Sequence, residues 1–178
     1  MNADELRALQ SPLKERYKEE PASAHITLTA SGTLDPQGIA CRVETGRALV
    51  EAGLHPATGG TGLQACSGDM LLEALVACAG VTLRAVATAL GIEVRAGTVR
   101  AEGDLDFRGT LGVSKEAQVG FQEIRLGFDL DTDASPEQLE ALFRLTERYC
   151  VVLQTLRQPP AVRLTPVGPG GRAPATSA

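Results

Sequence analysis

Apolar residues recur along this chain with two periods, and each change of period marks an element. Leu6, Leu9, Leu13 and Tyr17 step by three and four, the spacing of one helix face, and predict a helix over residues 3–20. Pro12 lies inside that stretch, so the expectation is a kink, or two short helices with Ser11 capping the second; Pro21 ends it. The period then falls to two. His25-Ile26-Thr27-Leu28-Thr29 alternates, residues 32–38 carry turn formers and residues 39–45 return, which reads as a hairpin with residues 47–51 leading toward a third strand.

Residues 53–68 (GLHPATGGTGLQACSG) read as a Gly-rich loop, long enough for a structureless connection to suggest a function. Residues 70–90 follow as a helix with Ser67 or Asp69 as N-cap and Gly91 as the residue past its end. Between Met70 and Ala87 only Glu73 and Arg84 are charged, the pattern of a buried central helix. Two or three strands are expected, roughly at 98–107 and then 118–131, separated by a polar turn at 108–115. Ser135 and Pro136 open another helix as N-cap and N1, with Leu139, Leu142, Phe143 and Leu145 or Thr146 on its apolar face. Beyond Cys150, residues 151–156 start a short helix, Pro159-Pro160 breaks it, residues 161–164 form a short final strand, and the rest is a disordered tail. Strands and helices in this order, without regular βα alternation, define an α+β domain.

Composition narrows the partners. The chain has 178 residues, 43% of them hydrophobic, which suffices for one core without metals or staples. It has no Trp, two Tyr and four Phe, and a net charge of −5 with scattered basic residues, so no nucleic-acid partner is expected. The charged N-terminus does not read as a secretory leader and the longest uncharged apolar run, residues 74–83, is half a bilayer span; a cytoplasmic protein without a membrane partner is expected.

His25 and His55 are the only histidines, and no two cysteines lie closer than Cys66 and Cys78, so no zinc spacing exists and neither metal nor cofactor is called for. The Gly-Gly-Thr-Gly of the loop lacks both the Lys of a P-loop and the third Gly of GxGxxG. The thiols remain. Cys78 shares a helix face with Leu71, Ala74, Leu75, Val81, Thr82 and Ala85, where a small buried hydrophobe is the ordinary role of cysteine. Cys150 stands where one helix ends and another begins; a helix N-terminus lowers a thiol pKa, which would make it the more polarised. Cys41 and Cys66 have no neighbours that recommend them.

Residues 67–83 (SGDMLLEALVACAGVTL), followed by Ala89-Leu90-Gly91-Ile92, resemble the core helix of the OsmC/Ohr family, the osmotically inducible protein C-like and organic hydroperoxide resistance-like proteins. Residues 146–152 (TERYCVV) are similar to the segment carrying that family's second cysteine, and the agreement covers roughly residues 25–165. The resemblance implies an intertwined homodimer in which two helices lie behind a strongly bent antiparallel sheet, with sites at the interface. It divides the chain into an N-terminal helical extension (1–21), the OsmC-like domain (22–165) and the tail (166–178). It also implies a thiol-dependent peroxidase acting on organic hydroperoxides, in an apolar pocket around Cys78. Cys78 would attack and become a sulfenic acid, Cys150 would resolve it as a disulfide, and an external dithiol would reduce the bridge.

Three departures accompany the resemblance. The family uses an Arg of the first hairpin, held by a Glu ahead of the core helix; here only Arg42 and Arg47 are available, on the second strand. Gly68 stands where that Glu is expected, and Asp69, the nearest acid, is about 13 Å along a continuous helix from Cys78. Val151 replaces the usual Pro, and His55, in an extension of the loop, would line the site or stand exposed. The missing Arg–Glu pair keeps an alternative open: a non-catalytic stress-response or redox-sensing protein that binds a small apolar ligand.

Overall fold

The computed structural model describes residues 3–34, 41–43 and 52–164. Four antiparallel strands form the main sheet in the order β2-β1-β5-β6: β2 is Cys41–Val43, β1 His25–Leu34, β5 Ala96–Asp106 and β6 Phe121–Asp131. β1 and β2 pair antiparallel as the alternation led one to expect, but β1 runs on through residues 32–34, read as turn from the sequence, with Gly32 opposite Val43 and Leu34 opposite Cys41. β1 then runs along β5 from His25–Asp106 to Thr33–Thr98, and β5 along β6 with one irregularity at Asp104/Leu105. Val99, Ala101 and Leu105 turn one face of β5 inward while Arg100 and Glu102 stay outside, the alternation that a one-sided sheet requires.

Helix α2 (Ser67–Leu90) lies against β1, β2 and β5, and α4 (Pro136–Tyr149) and α5 (Val151–Arg157) pack on α2. Leu72, Leu75, Val76, Ala79, Leu83 and Ala87 bury its inner side. Gly91 ends it in the left-handed region at φ 66°, where its N–H donates to Thr88 O and the N–H of Ile92 to Ala87 O. At the other end, the helix begins at Ser67 and Cys66 is its N-cap, without a side-chain bond; neither Ser67 nor Asp69 caps it. The expectation of burial all round is also corrected. Met70 (37% exposed), Leu71 (38%) and Val81 (39%) lie on an open side together with Ala74 and Ala85, because the sheet and α4 cover only half of the cylinder.

Helix α4 starts as its sequence demands. Ser135 Oγ accepts from the N–H of Gln138, and the Gln138 side chain accepts from the N–H of Ser135, a complete capping box ahead of Pro136. Helix α1 (Ala3–Glu19) is one helix with Pro12 inside it, not two. Its buried Tyr17 donates to Ala57 O at 2.6 Å, and Gln10 Nε2 donates to Thr58 O at 3.3 Å. Both acceptors belong to the segment before α2. That segment is not a bare loop: β3 (Ala52–Gly53) and β4 (Ala65–Cys66) pair in parallel across it, around a 3-10 turn at Pro56–Thr58.

Other expectations change as well. Part of the polar turn after β5 is helix α3 (Phe107–Thr110), begun when the Asp106 carboxylate accepts from the N–H of Arg108. Residues 161–164 form no strand. The third strand at 47–51 and the tail at 166–178 lie outside the described residues.

Candidate active site

Cys78 and Cys150, 72 positions apart in the chain, are brought within electrostatic reach of each other. Cys78 projects from the middle of α2 at the border between its covered and open sides, and is half-buried. Cys150 is both the last cap of α4 and the first of α5, its extended backbone (φ −71°, ψ 106°) breaking one helix from the next. Its N–H donates to Thr146 O and its carbonyl accepts from Gln154, each at 2.9 Å. This bend aims the side chain back at α2, near enough to Cys78 for that thiol to raise the pKa of Cys150.

The electrostatics reverse one reading of the sequence. Burial pushes the Cys150 thiol up to about 11, and the neighbouring Cys78 pushes the same way, against the backbone N–H groups of Leu153 and Val152 that favour the thiolate. The helix N-terminus does act on this sulfur, but desolvation outweighs it, since Cys150 is fully shut from water. Cys150 is the proton-holding member of the pair.

A cavity of about 870 Å³ adjoins it, between α2, β6, α4 and α5. Leu75, Phe121, Ile124, Leu126, Phe143 and Leu153 supply most of its apolar wall. Cys150 and Thr146 stand on that wall; Cys78 does not, so the apolar pocket belongs to the second cysteine rather than the first. Thr146, one turn before Cys150, is 2% exposed and its Oγ has no hydrogen-bond partner among the described residues. At the rim Glu147 pairs with Arg157 and takes a bond from Gln154 Nε2 at 2.7 Å, fastening α5 to α4.

The proposed assistants are dispersed. Asp69 sits in the first turn of a helix already under way at Ser67, about 13 Å along the axis from Cys78. Partial burial raises its pKa, opposed by the nearby His55. His55 accepts the N–H of Ala57 at 3.0 Å through Nδ1 and stacks on Phe107 with ring centroids 5.1 Å apart. His55 and Asp69 therefore make a second polar group at the start of α2, away from Cys78 and Cys150. Arg42 lies on β2 opposite Thr33, in the strand that α2 packs against, and Arg47 is outside the described residues. Cys66 is half-buried at the start of α2. Among the described residues no three of His, Cys, Asp and Glu stand close enough to hold a metal ion.

Sequence reasoning missed Thr146, Glu147 and Arg157. Their offsets from Cys150, −4, −3 and +7, are helical spacings and were the available signal.

The chain thus joins a thiol pair to an α+β scaffold with its central helix on one face of an antiparallel sheet. The family model described as OsmC-like protein matches residues 60–165, and the chain belongs to that family. Two solved structures are similar in fold. One, described as an OsmC-like hydroperoxide resistance protein from Jannaschia sp. CCS1, has a TM-score of 0.60 and 18% identity over 84% of this chain and 97% of its own. The other, an OsmC-like protein from Mycoplasma pneumoniae, has a TM-score of 0.52 and 15% identity over 71% of this chain and 85% of its own. No curated protein matches.

Proposed function

We propose that this chain is a thiol peroxidase that reduces organic hydroperoxides, with Cys78 attacking and Cys150 resolving. The observation that carries the reading is that the fold brings these two thiols, 72 positions apart in the chain, near enough to interact electrostatically. The Cys78 thiolate attacks the distal peroxide oxygen; the O–O bond breaks, and the alkoxide leaves and is protonated to the alcohol. The Cys78 sulfenic acid then loses water as the Cys150 sulfur closes the disulfide. A dithiol returns two electrons and two protons. Cys150, with its pKa raised to about 11, keeps its proton until that step. Arg42, on the strand beneath α2, is the candidate cation for the thiolate, and membership of a family with a solved hydroperoxide resistance protein supports the chemistry.

The reading includes a homodimer built on the open side of α2, where Met70, Leu71, Ala74 and Val81 leave an uncovered apolar stripe beside Cys78. Turnover with cumene hydroperoxide and dithiothreitol, followed by disulfide mapping, tests the mechanism. A Cys78–Cys150 bridge with turnover is expected, lost in Cys78→Ser; oxidation confined to Cys41 or Cys66 without turnover refutes it. The apolar cavity favours one rival, a ligand-binding protein with idle thiols, for which the same assay would show no turnover.

A further inference from the structure

An imidazole closes the segment ahead of α2. His55 Nδ1 accepts the N–H of Ala57 at 3.0 Å, so that nitrogen carries no proton and the ring is neutral, with its hydrogen on Nε2. The carbonyl of the same residue accepts from the N–H of Thr58 at 2.8 Å, from Thr58 Oγ at 2.9 Å and from the N–H of Gly60 at 3.1 Å. Gly59 completes the turn in the left-handed region at φ 94°.

Helix α1 is seated on this turn. Tyr17 and Gln10 donate to the carbonyls of Ala57 and Thr58, the residues that the His55 cap holds in place. A side chain on Gly59 would stand 3.3 Å from Leu9 Cβ and 3.7 Å from Gln10 Cγ, so the helix lies directly over the turn. α1 also packs on α3, whose Phe107 stacks on the His55 ring.

Protonation reverses the sign of the His55 contact. An imidazolium carries a hydrogen on both nitrogens, and the one on Nδ1 would meet the N–H of Ala57 head on. A carboxylate that favours the cation is at hand: Asp69, in the first turn of α2, interacts electrostatically with His55, and Glu73 follows one turn further along. On the other neighbouring elements, Arg108 of α3 is closed on Asp106, while on α1 Arg16 lies over the Tyr17 ring and Lys18 pairs with Glu15.

We propose that His55 is an acid-sensitive latch on the N-terminal helix: the neutral ring caps the turn at Pro56–Thr58 and holds α1, and the protonated ring abandons Ala57 for Asp69 and releases α1. The proton comes from solvent and stays on Nδ1. Two ties to α1 depend on one cap, so a single proton is felt along the helix. The latch goes beyond the peroxidase reading and stands or falls without it.

Hydrogen exchange read by mass spectrometry, corrected for the intrinsic rate at each pH, tests it. Between about pH 8 and pH 5, where histidine changes charge, amide protection in α1 should fall about ten-fold, the scale of one hydrogen bond, while α4 keeps its protection. His55→Asn puts a capping oxygen that takes no proton in the same place, so its α1 protection should be equal at both ends of the range. Asp69→Asn removes the anion that receives the imidazolium and should move the loss in α1 to lower pH. Unchanged α1 protection in the parent, an equal loss in α4, or a loss in His55→Asn as large as the parent's overturns the proposal. Should His55→Asn be loose at both ends of the range, Asp69→Asn decides: a midpoint equal to the parent's overturns it.

Discussion

Oxidation of the thiol pair should be readable as heat resistance. A Cys78–Cys150 bridge closes a loop of 72 positions in the unfolded chain. On the chain-entropy relation that constraint is worth about 4.4 kcal/mol. The two thiols already interact electrostatically in the dithiol form, so closing the bond should demand little rearrangement of α2 or of the α4–α5 junction. For a chain of this length each kcal/mol moves the melting temperature by about 2–4 °C, so the oxidised protein should melt roughly 10 °C above the reduced one. The assay is calorimetry on protein treated with diamide or with dithiothreitol, the bridge verified by mapping, with Cys78→Ser and Cys150→Ser as variants that cannot respond. A mapped bridge accompanied by an unchanged or lower melting temperature would refute the reasoning. It would show that α2 and α5 must be pulled out of place to join the sulfurs.

Iodoacetamide at pH 8 should modify Cys66 and Cys78 before Cys150 in the native protein, and all of them alike in urea; rapid native labelling of Cys150 would contradict its burial and raised pKa. Because the folded Cys150 pKa of about 11 exceeds the unfolded one, the unfolded chain loses its proton first as pH rises. Urea stability should therefore fall between the ordinary thiol range and pH 11, and this slope should shrink in Cys150→Ala. Tyr17→Phe removes the 2.6 Å bond to Ala57 O and should cost about 1 kcal/mol in urea unfolding, through the tie between α1 and the segment before α2. Asp106→Asn breaks a buried carboxylate from Arg108, and from His25 Nε2 at 3.4 Å, and should destabilise by about 3 kcal/mol at neutral pH. Arg108 lowers the Asp106 pKa, so that stabilisation should be whole at neutral pH and lost as pH falls through the folded pKa; a parallel acid unfolding curve in Asp106→Asn would refute it.

Local chemistry made much of this fold readable in advance. Gly91 is where a left-handed residue must end α2, Ser135-Pro136 opens α4, and the alternation around residues 25–29 and 118–131 produced β1 and β6. Features decided by distant packing were not readable. Cys66 caps α2 without any side-chain bond, so nothing in its chemistry announced the start of the helix. An all-apolar helix looked fully covered because composition does not reveal how many neighbours arrive, and Met70, Leu71 and Val81 stayed open. The Cys150 thiol was read from its helix N-terminus alone, whereas its pKa follows from the burial that α2 and α5 impose together. The cavity is assembled from α2, β6, α4 and α5, and only folding sets its walls side by side.

The open side of α2 carries a consequence for reading variants of this protein. Met70, Leu71 and Val81 contribute little to the fold of the single chain, so polar replacements there should pass a melting screen unnoticed. If the homodimer and peroxidase proposed above hold, their effect would surface on dilution, as a catalytic rate per molecule that drops with concentration. A survey that scored folding at one concentration would class these positions as tolerant, and would overlook the ground on which the Cys78 sulfur stands.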